Sequence, residues 1–390
     1  MVRAFKYRFY PTPEQVLVLA KTFGCVRYVY NWALKVRTDA WLNERQRVSY
    51  AKTSSMLTQL KRTPECSWLN QVSSVATQQS LRHLQDAFVN FWEKRAAYPS
   101  FKKSKDRQSA EFTKSAFIWN GNTCSIYKLG KLKIRWSRRF SSSPSTVTVS
   151  RDSADRYFVT FRVDDPLPAL PASQETVGID LGLRSFIATS KGEKVVFSRP
   201  MRRRIARLKR AQKELSRKQQ GSKNKEKARL RLAKIHARIK DSRQDFLHKL
   251  STRLIRENQT IAVEDLNVRG MMANHSLAGA IGDSGWSEFV RQLGYKCAWY
   301  GRTLVKIDRF YPSSKRCSAC GFVMESIPLD VRSWECPKCG ATHDRDVNAA
   351  RNILAAGLAV IACGDGVRPL RSKDRRGYCL RNRNRPKVCA

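Results

Sequence analysis

Two Cys-x-x-Cys pairs constrain the fold of this chain more than any other feature. They are separated by 15 residues, and a glycine follows each pair. The thiols and glycines are Cys317, Cys320, Gly321, Cys336, Cys339 and Gly340. Two such turns predict a tetrahedral zinc site with four thiolate ligands, which is structural because it leaves no open position for a substrate. Free thiols or a redox pair are the alternative, but they leave the doubling and the glycines unexplained.

The net charge predicts a polyanionic partner. The 390 residues contain 75 Lys and Arg against 32 Asp and Glu, an excess of +43, yet 42% of the residues are hydrophobic. A folded protein with this charge repels itself unless a polyanion neutralises it, and nucleic acid is the obvious candidate. The longest apolar run, 353–363, is far shorter than the roughly 20 residues of a membrane span. We therefore expect no membrane association, and the odd count of 11 cysteines favours a reducing, cytoplasmic compartment.

The first part of the chain predicts a strand, a helical region and a small antiparallel sheet or barrel. Residues 5–10 alternate as a strand, and Thr12 and Pro13 provide a cap and a first turn for helices that continue to about Tyr98. The period then changes to two, as in 146–150 and 157–161. The Pro-rich stretch 164–173 predicts a domain boundary.

A mixed α/β sheet is expected after this boundary, together with two long basic helices in a hairpin. Residues 201–240 contain 17 Lys or Arg against Glu214 and Glu226. Because so few acids are present to form i,i+4 pairs, phosphate contact is favoured over a solvated helix face, with Arg203, Arg207 and Arg210 as candidates. The basic stretch 364–390 is expected to be a disordered tail.

Three carboxylates stand where strand and helix ends should converge. Asp180 ends the apolar strand 176–180, Glu264 ends the strand 260–264, and Asp346 begins a helix just after the cysteine pairs. Hard cations prefer oxygen ligands, and two Mg2+ ions can stabilise both the attacking and the leaving oxygen of a phosphodiester. The sequence therefore predicts a two-metal nuclease centre, although any one of these acids alone is more often a cap or a surface residue. The order Asp, Glu, Asp matches ribonuclease-H-like nucleases of the RuvC group and differs from Asp-Asp-Glu transposases.

The chain resembles the TnpB family of transposon-associated, RNA-guided nucleases. The resemblance covers most of the chain up to about residue 357. It rests on the segments 6–15, 27–33, 98–102, 178–182, 263–266, 313–321 and 344–350. The later segments together are specific, while the first is weaker by itself.

The resemblance implies a multidomain α+β protein. A wedge barrel would comprise 1–10 and 97–168, with a helical recognition domain, 11–96, inserted between the two parts. A RuvC-like nuclease domain would comprise 169–310 and 341–363, interrupted by a zinc ribbon at 311–340.

The implied partners are a guide RNA from the transposon end and double-stranded target DNA, cut next to a short flanking motif. Asp180, Glu264 and Asp346 fall on the family's three catalytic positions. Asp344 is a local rival, but the family pattern Asp-x-Asn-Ala-Ala selects Asp346. A bacterial or archaeal source and a monomer are favoured.

Other contacts with nucleic acid are less constrained. Tyr50, Ser54 and Gln78 are candidates for reading the flanking motif, although helix capping explains Ser and Thr there equally well. Lys102 is a candidate RNA contact, with a solvated loop as the alternative.

Two other functions stay open: a guided or unguided regulator that binds DNA without cutting it, and an unguided junction resolvase. The resolvase is disfavoured because it needs neither the helical domain nor the ribbon.

Overall fold

The computed structural model describes residues 2–165, 169–197, 199–328 and 330–362. The described residues divide into two compact units. Unit 1 comprises those of Met1–Pro166 and Arg217–Lys234, and unit 2 comprises those of Leu167–Ser216 and Ile235–Ala390. The predicted disordered tail and part of the Pro-rich stretch lie outside the described residues.

Unit 1 combines helices with antiparallel sheets. Its α-helices are α1 (Pro13–Glu44), α2 (Tyr50–Leu60) and α3 (Ser74–Trp92), and Pro64–Gln71 and Lys114–Ala116 are 3-10 turns. Its strands are β1 (Val2–Phe9), β2 (Gln108–Thr113), β3 (Phe117–Trp119), β4 (Cys124–Ile126), β5 (Gly130–Lys131), β6 (Ile134–Arg135), β7 (Pro144–Arg151) and β8 (Tyr157–Asp164). One sheet has the order β2-β7-β8-β1-β6, and another has the order β3-β4-β5.

Helix α1 begins as predicted and contributes to two cores of unit 1. The Thr12 side chain accepts from the Gln15 amide while the Gln15 side chain accepts from the Thr12 amide, which completes a capping box. The first turns bury Leu19 and Phe23 against the sheet, whereas Leu34 further along packs in a helical core. Ala20, next to Leu19 in the chain, is exposed.

The five-stranded sheet of unit 1 confirms the predicted change to a period of two. Within β7 and β8, Val147, Val149, Val159 and Phe161 point into the core and are fully buried. Phe5 of β1 lies opposite Phe161 of β8 in the antiparallel register. Burial of alternate side chains on one face is what fixes this register, because a slip by one residue would expose all of them.

Unit 2 is built on a mixed sheet, as the sequence predicts. Its strands are β9 (Thr176–Leu181), β10 (Ile187–Thr189), β11 (Lys194–Val195), β12 (Thr260–Glu264), β13 (Thr303–Ile307), β14 (Ser333–Glu335) and β15 (Thr342–Asp344). Its helices are α4 (Pro200–Ser216), α5 (Lys223–Glu257), whose first part belongs to unit 1, α6 (Val268–Met271), α7 (His275–Ser284), α8 (Trp286–Tyr300) and α9 (Arg345–Ala362). The main sheet has the order β11-β10-β9-β12-β13, in which β9, β12 and β13 are parallel.

Helix α9 packs on the main sheet at unusually close range. A Cβ added at Gly178 of β9 would overlap the backbone carbonyl oxygen of Ala350, and one added at Gly357 would lie 2.7 Å from the Cβ of Ala262 in β12. Ala349 and Ala350 are fully buried at the same interface. Small residues on both sides therefore set the depth of the helix that begins next to Asp346. None of the described helices combines the length and apolar character that a membrane crossing requires.

Candidate functional site

Asp180 and Glu264 lie at the same edge of the unit 2 sheet. Strands β9 and β12 run parallel with Val263 opposite Ile179, so the next residue of each strand is one of the two acids. The carboxyl ends of parallel strands meet at one edge, which is where α/β sheets bind ligands. The turn after Asp180 requires glycine, because a Cβ added at Gly182 would lie 2.8 Å from the Ser185 carbonyl oxygen.

Asp346 joins these two acids from the first turn of α9. The charges of Glu264 and Asp346 both raise the pKa of Asp180. Burial is the largest cause, and together these effects raise that pKa to about 7, although Arg345 acts in the opposite direction. Three half-buried carboxylates at one sheet edge offer the negatively charged oxygen ligands that a hard divalent cation prefers.

Glu264 is oriented by a hydroxyl group from the segment that leads to the first cysteine pair. The Ser313 hydroxyl donates a hydrogen bond to Glu264 Oε1. Burial raises the pKa of Glu264, while this hydrogen bond lowers it because it stabilises the charged form. The Asn352 side chain of α9 in turn donates to the Ser313 carbonyl oxygen at 2.9 Å. The helix that carries Asp346 therefore also holds the residue that orients Glu264.

Asp346 and its neighbour Asp344 share the cation Lys194, and Arg332 lies beside Asp346 as well. Lys194 Nζ lies 3.7 Å and Arg332 Nη1 3.5 Å from the Asp346 carboxylate oxygens. Asp344 forms a closer ion pair with Lys194, at 2.7 Å, and also accepts from the Val347 amide. Burial would raise the pKa of Asp344, but these hydrogen bonds hold it below its usual value. Asp344 is thus already engaged as a helix cap and ion-pair partner.

The four cysteines form a cluster that could bind a metal ion. The sulfur atoms of Cys317, Cys320, Cys336 and Cys339 all lie within 4.8 Å of one another. The Cys320–Cys336 and Cys317–Cys339 sulfur distances are 3.6 and 3.8 Å. A tetrahedral site with Zn–S bonds of about 2.3 Å requires about 3.8 Å between sulfurs. The donor set and its spacing therefore fit zinc.

Glycine conformations and backbone amides around the cysteine cluster favour ligand turns and the thiolate form of Cys336. Gly321 and Gly340 have φ of +79° and +67°, the left-handed conformation expected of the glycines after each pair. Burial would raise the pKa of Cys336, but hydrogen bonds from the Lys338 and Cys339 amides and from the Cys320 and Cys339 thiols lower it to about 7. The neighbouring thiols have the opposite effect on Cys339 and raise its pKa. His343 Nε2 lies 3.0 Å from Cys317 Sγ, as an outer partner of a metal ligand does.

Asn348 and Asn352 connect α9 to the segment around the first cysteine pair. Asn348 accepts from the Ser318 amide at 2.9 Å and donates to the Arg316 carbonyl oxygen at 2.7 Å. Asn352 donates to the same carbonyl at 2.6 Å. Both amides are almost fully buried, so their loss would leave backbone groups without partners.

The candidates for contact with a flanking motif differ in position. Tyr50 lines a cavity of about 680 Å3 in unit 1, together with Arg82, whose guanidinium lies 5.5 Å from its ring centre. Gln78 on α3 is exposed, and its neighbour Gln79 lines that cavity. Ser54 is half-buried on α2. These three side chains stay candidates.

Of the four basic candidates, one is packed against other residues and three are exposed. The Lys102 ammonium lies 3.9 Å from the ring centre of Tyr30, and its backbone exchanges hydrogen bonds with the Asn31 side chain. Burial lowers the pKa of Lys102. This lysine therefore has a packing role within unit 1. Arg203, Arg207 and Arg210 are exposed along α4, at the spacing of one helix face.

Several residues of the site were not predicted from the sequence. Ser313 and Asn348 occur in segments that resemble TnpB, but hydroxyl and amide residues there are equally typical of caps. Lys194 and Arg332 reach Asp346 from distant strands or loops, and no local pattern indicates such a pairing. Asn352 could have been suspected as an amide on an otherwise apolar face of α9.

The fold of the chain is similar to that of a Cas12f1 protein. A Cas12f1 protein, solved by cryo-electron microscopy with sgRNA and target DNA, matches with a TM-score of 0.56 and 12% identity over 90% of this chain and 98% of that one. Family models also match: "OrfB_IS605: Probable transposase" at residues 155–275, "Cas12f1-like, TNB domain" at 286–353, and a helix-turn-helix domain at 1–46.

Similar full-length proteins identify the family. A protein of Streptomyces pristinaespiralis named "Putative RNA-guided DNA endonuclease" is 56% identical, over 96% of this chain and 94% of its own length. InsQ of Escherichia coli K12, which has the same description, is 32% identical over 95% of this chain and 97% of its own. The chain belongs to the TnpB family, as its sequence motifs predict.

Proposed function

We propose that this protein is an RNA-guided DNA endonuclease that cuts DNA next to a short flanking motif. The observation that carries the proposal is the placement of Asp180 and Glu264 at the ends of adjacent parallel strands, with Asp346 in the first turn of the helix that packs on those strands. Family membership and the names of the similar proteins support it. The net charge of +43 suits a protein that holds an RNA–DNA heteroduplex by its backbone and leaves sequence recognition to base pairing.

In the proposed mechanism, Asp180, Glu264 and Asp346 hold Mg2+ at the catalytic centre. Bound Mg2+ would polarise the phosphodiester and stabilise the charge on its oxygens. Asp180 must lose its proton before it can act as a ligand, because its pKa is about 7. The Ser313 hydroxyl keeps Glu264 oriented. Lys194 and Arg332 neutralise part of the charge on Asp346.

The proposed cofactors and domains follow the family pattern. The four cysteines would hold a structural Zn2+ in a ribbon at 311–340, which interrupts a RuvC-like nuclease domain at 169–310 and 341–363. Residues 1–10 and 97–168 would form the wedge, and 11–96 the recognition domain. The TNB family model matches 286–353, a segment that includes all four cysteines and the adjoining parts of the proposed nuclease domain. Guide RNA and target DNA would be the partners.

The neighbouring acids Asp346 and Asp344 provide a matched test of this function. The protein is expressed with its native genomic flank, and the RNA that co-purifies is sequenced to design a complementary DNA target. Asp346→Ala should abolish cleavage with little loss of DNA binding, whereas Asp344→Ala should retain cleavage because Asp344 caps α9 and is not one of the three proposed metal ligands. Tight binding of RNA and DNA without any product at any Mg2+ concentration would instead indicate a guided regulator.

A further inference from the structure

A second feature of the same sheet edge is an exposed aromatic ring. Phe310 is 86% exposed, more than any other large apolar side chain in the described part of the chain. Single exposed apolar residues are common on protein surfaces, so exposure alone indicates no function. The position of this ring relative to Glu264 is what singles it out.

The loop that carries Phe310 is attached to the carboxylate edge on both sides of the ring. Before it, the Arg309 side chain donates to the Asp265 carbonyl oxygen at 3.0 Å and to its carboxylate at 3.2 Å. After it, the Ser313 hydroxyl donates to Glu264. Phe310 therefore lies between two residues, Arg309 and Ser313, that are hydrogen-bonded to Asp265 and Glu264.

The loop is also held internally, so that the exposed ring starts from a fixed backbone. The Asp308 carboxylate accepts from the Phe310 amide at 2.7 Å, and its carbonyl oxygen accepts from the Tyr311 amide at 3.3 Å. Tyr311 packs on a core formed by Ala262, Ile307 and Ile353. A rigid aromatic face loses little conformational entropy when it contacts a ligand.

We propose that Phe310 is a stacking platform for a nucleobase of the DNA strand that enters the carboxylate edge. Bases stack on exposed aromatic rings irrespective of sequence, provided that the base has a free face. A base inside a duplex has both faces covered, so the platform selects unpaired DNA. This proposal rests on the proposed nuclease function and adds Phe310 as a residue that positions the strand next to the carboxylate edge.

A binding experiment tests the stacking without any cleavage. The parent is the Asp180→Ala protein with its co-purified RNA, and the probe is a short oligothymidylate with one 2-aminopurine, whose fluorescence falls when it stacks on an aromatic ring. We expect the parent to quench the 2-aminopurine fluorescence. The double variant that combines Asp180→Ala with Phe310→Ala should not quench it, and the double variant with Phe310→Trp should. Ile118→Ala is the control, because Ile118 is also highly exposed, at 74%, but lies in unit 1. Equal quenching with and without Phe310 would overturn the proposal.

A kinetic experiment separates stacking from general apolar contact. Loss of one base–aromatic stack corresponds to about a 5- to 100-fold effect. We expect kcat/KM for single-stranded DNA to fall by this factor for Phe310→Ala and Phe310→Leu, and to be retained for Phe310→Tyr. Full activity of the leucine variant would contradict the proposal. A native chain that cleaves no DNA would refute the nuclease function, while the fluorescence experiment would still decide whether Phe310 stacks on a base.

Discussion

Replacing Asp180 by asparagine should stabilise the protein when Mg2+ is omitted. The pKa of Asp180 is raised to about 7 in the folded chain, against about 3.9 in an unfolded one. Between these values the unfolded state binds fewer protons than the folded state, so stability falls as the pH rises. The two pKa values differ by about three, and a difference of one corresponds to about 1.4 kcal/mol. Ionisation of Asp180 therefore lowers the free energy of unfolding by about 4 kcal/mol at pH 8.

Asparagine has the shape of the protonated acid but does not ionise. Asp180→Asn should therefore be about 4 kcal/mol more stable than the native chain at pH 8, and only about 1 to 2 kcal/mol more stable at pH 5. For a unit of this size the pH 8 difference corresponds to about 10 °C in the thermal midpoint. Calorimetry measures this difference in thermal midpoint. The buffer contains no added Mg2+ and no chelator, because a chelator would remove any metal held by the four cysteines. Added Mg2+ should stabilise the native chain more than the variant.

The neighbouring acid supplies a control of opposite sign. The pKa of Asp344 is lowered, so its ionised form stabilises the fold above the unfolded pKa, and this stabilisation is lost as the pH falls through the folded pKa. Asp344→Asn should consequently destabilise the protein at pH 8. If Asp180→Asn is as stable as the native chain at pH 8, or less stable, the electrostatic description of the site is wrong.

Other perturbations test the packing, the orientation of Glu264, the cysteine cluster and the protonation of the site. Gly178→Ala should lower the thermal midpoint and cleavage, because its Cβ would meet α9, whereas Gly279→Ala has open space and should be tolerated. Ser313→Ala should slow cleavage about 10- to 100-fold with DNA affinity unchanged, because a hydrogen bond to a charged group is lost. Cys336→Ser should lower the bound zinc measured by elemental analysis, together with the thermal midpoint. The Mg2+ concentration for half-maximal cleavage should fall as the pH rises from 6 towards 7, because Asp180 must deprotonate; a pH-independent value would contradict this.

Local patterns in the sequence were enough to predict the elements that carry the candidate site. The predicted apolar strands are β12, which ends at Glu264, and β9, which continues one residue beyond Asp180 to Leu181. Thr12 caps α1 as expected. The spacing of the cysteine pairs predicted a cluster, and the sulfur atoms lie within 4.8 Å of one another. Each of these signals acts over a few residues, through period, capping or turn geometry, and so can be recognised in a linear chain.

Only the tertiary structure decided which distant groups surround the acids. The Ser313 hydroxyl reaches Glu264 and Lys194 reaches both Asp344 and Asp346, contacts that join residues far apart in the chain. The raised pKa of Asp180 likewise depends on burial and on charges brought together by folding. The identity and spacing of the ligands are encoded locally, whereas their protonation, orientation and partners arise from packing, because Coulomb energies depend on distance in space and on the surrounding solvent.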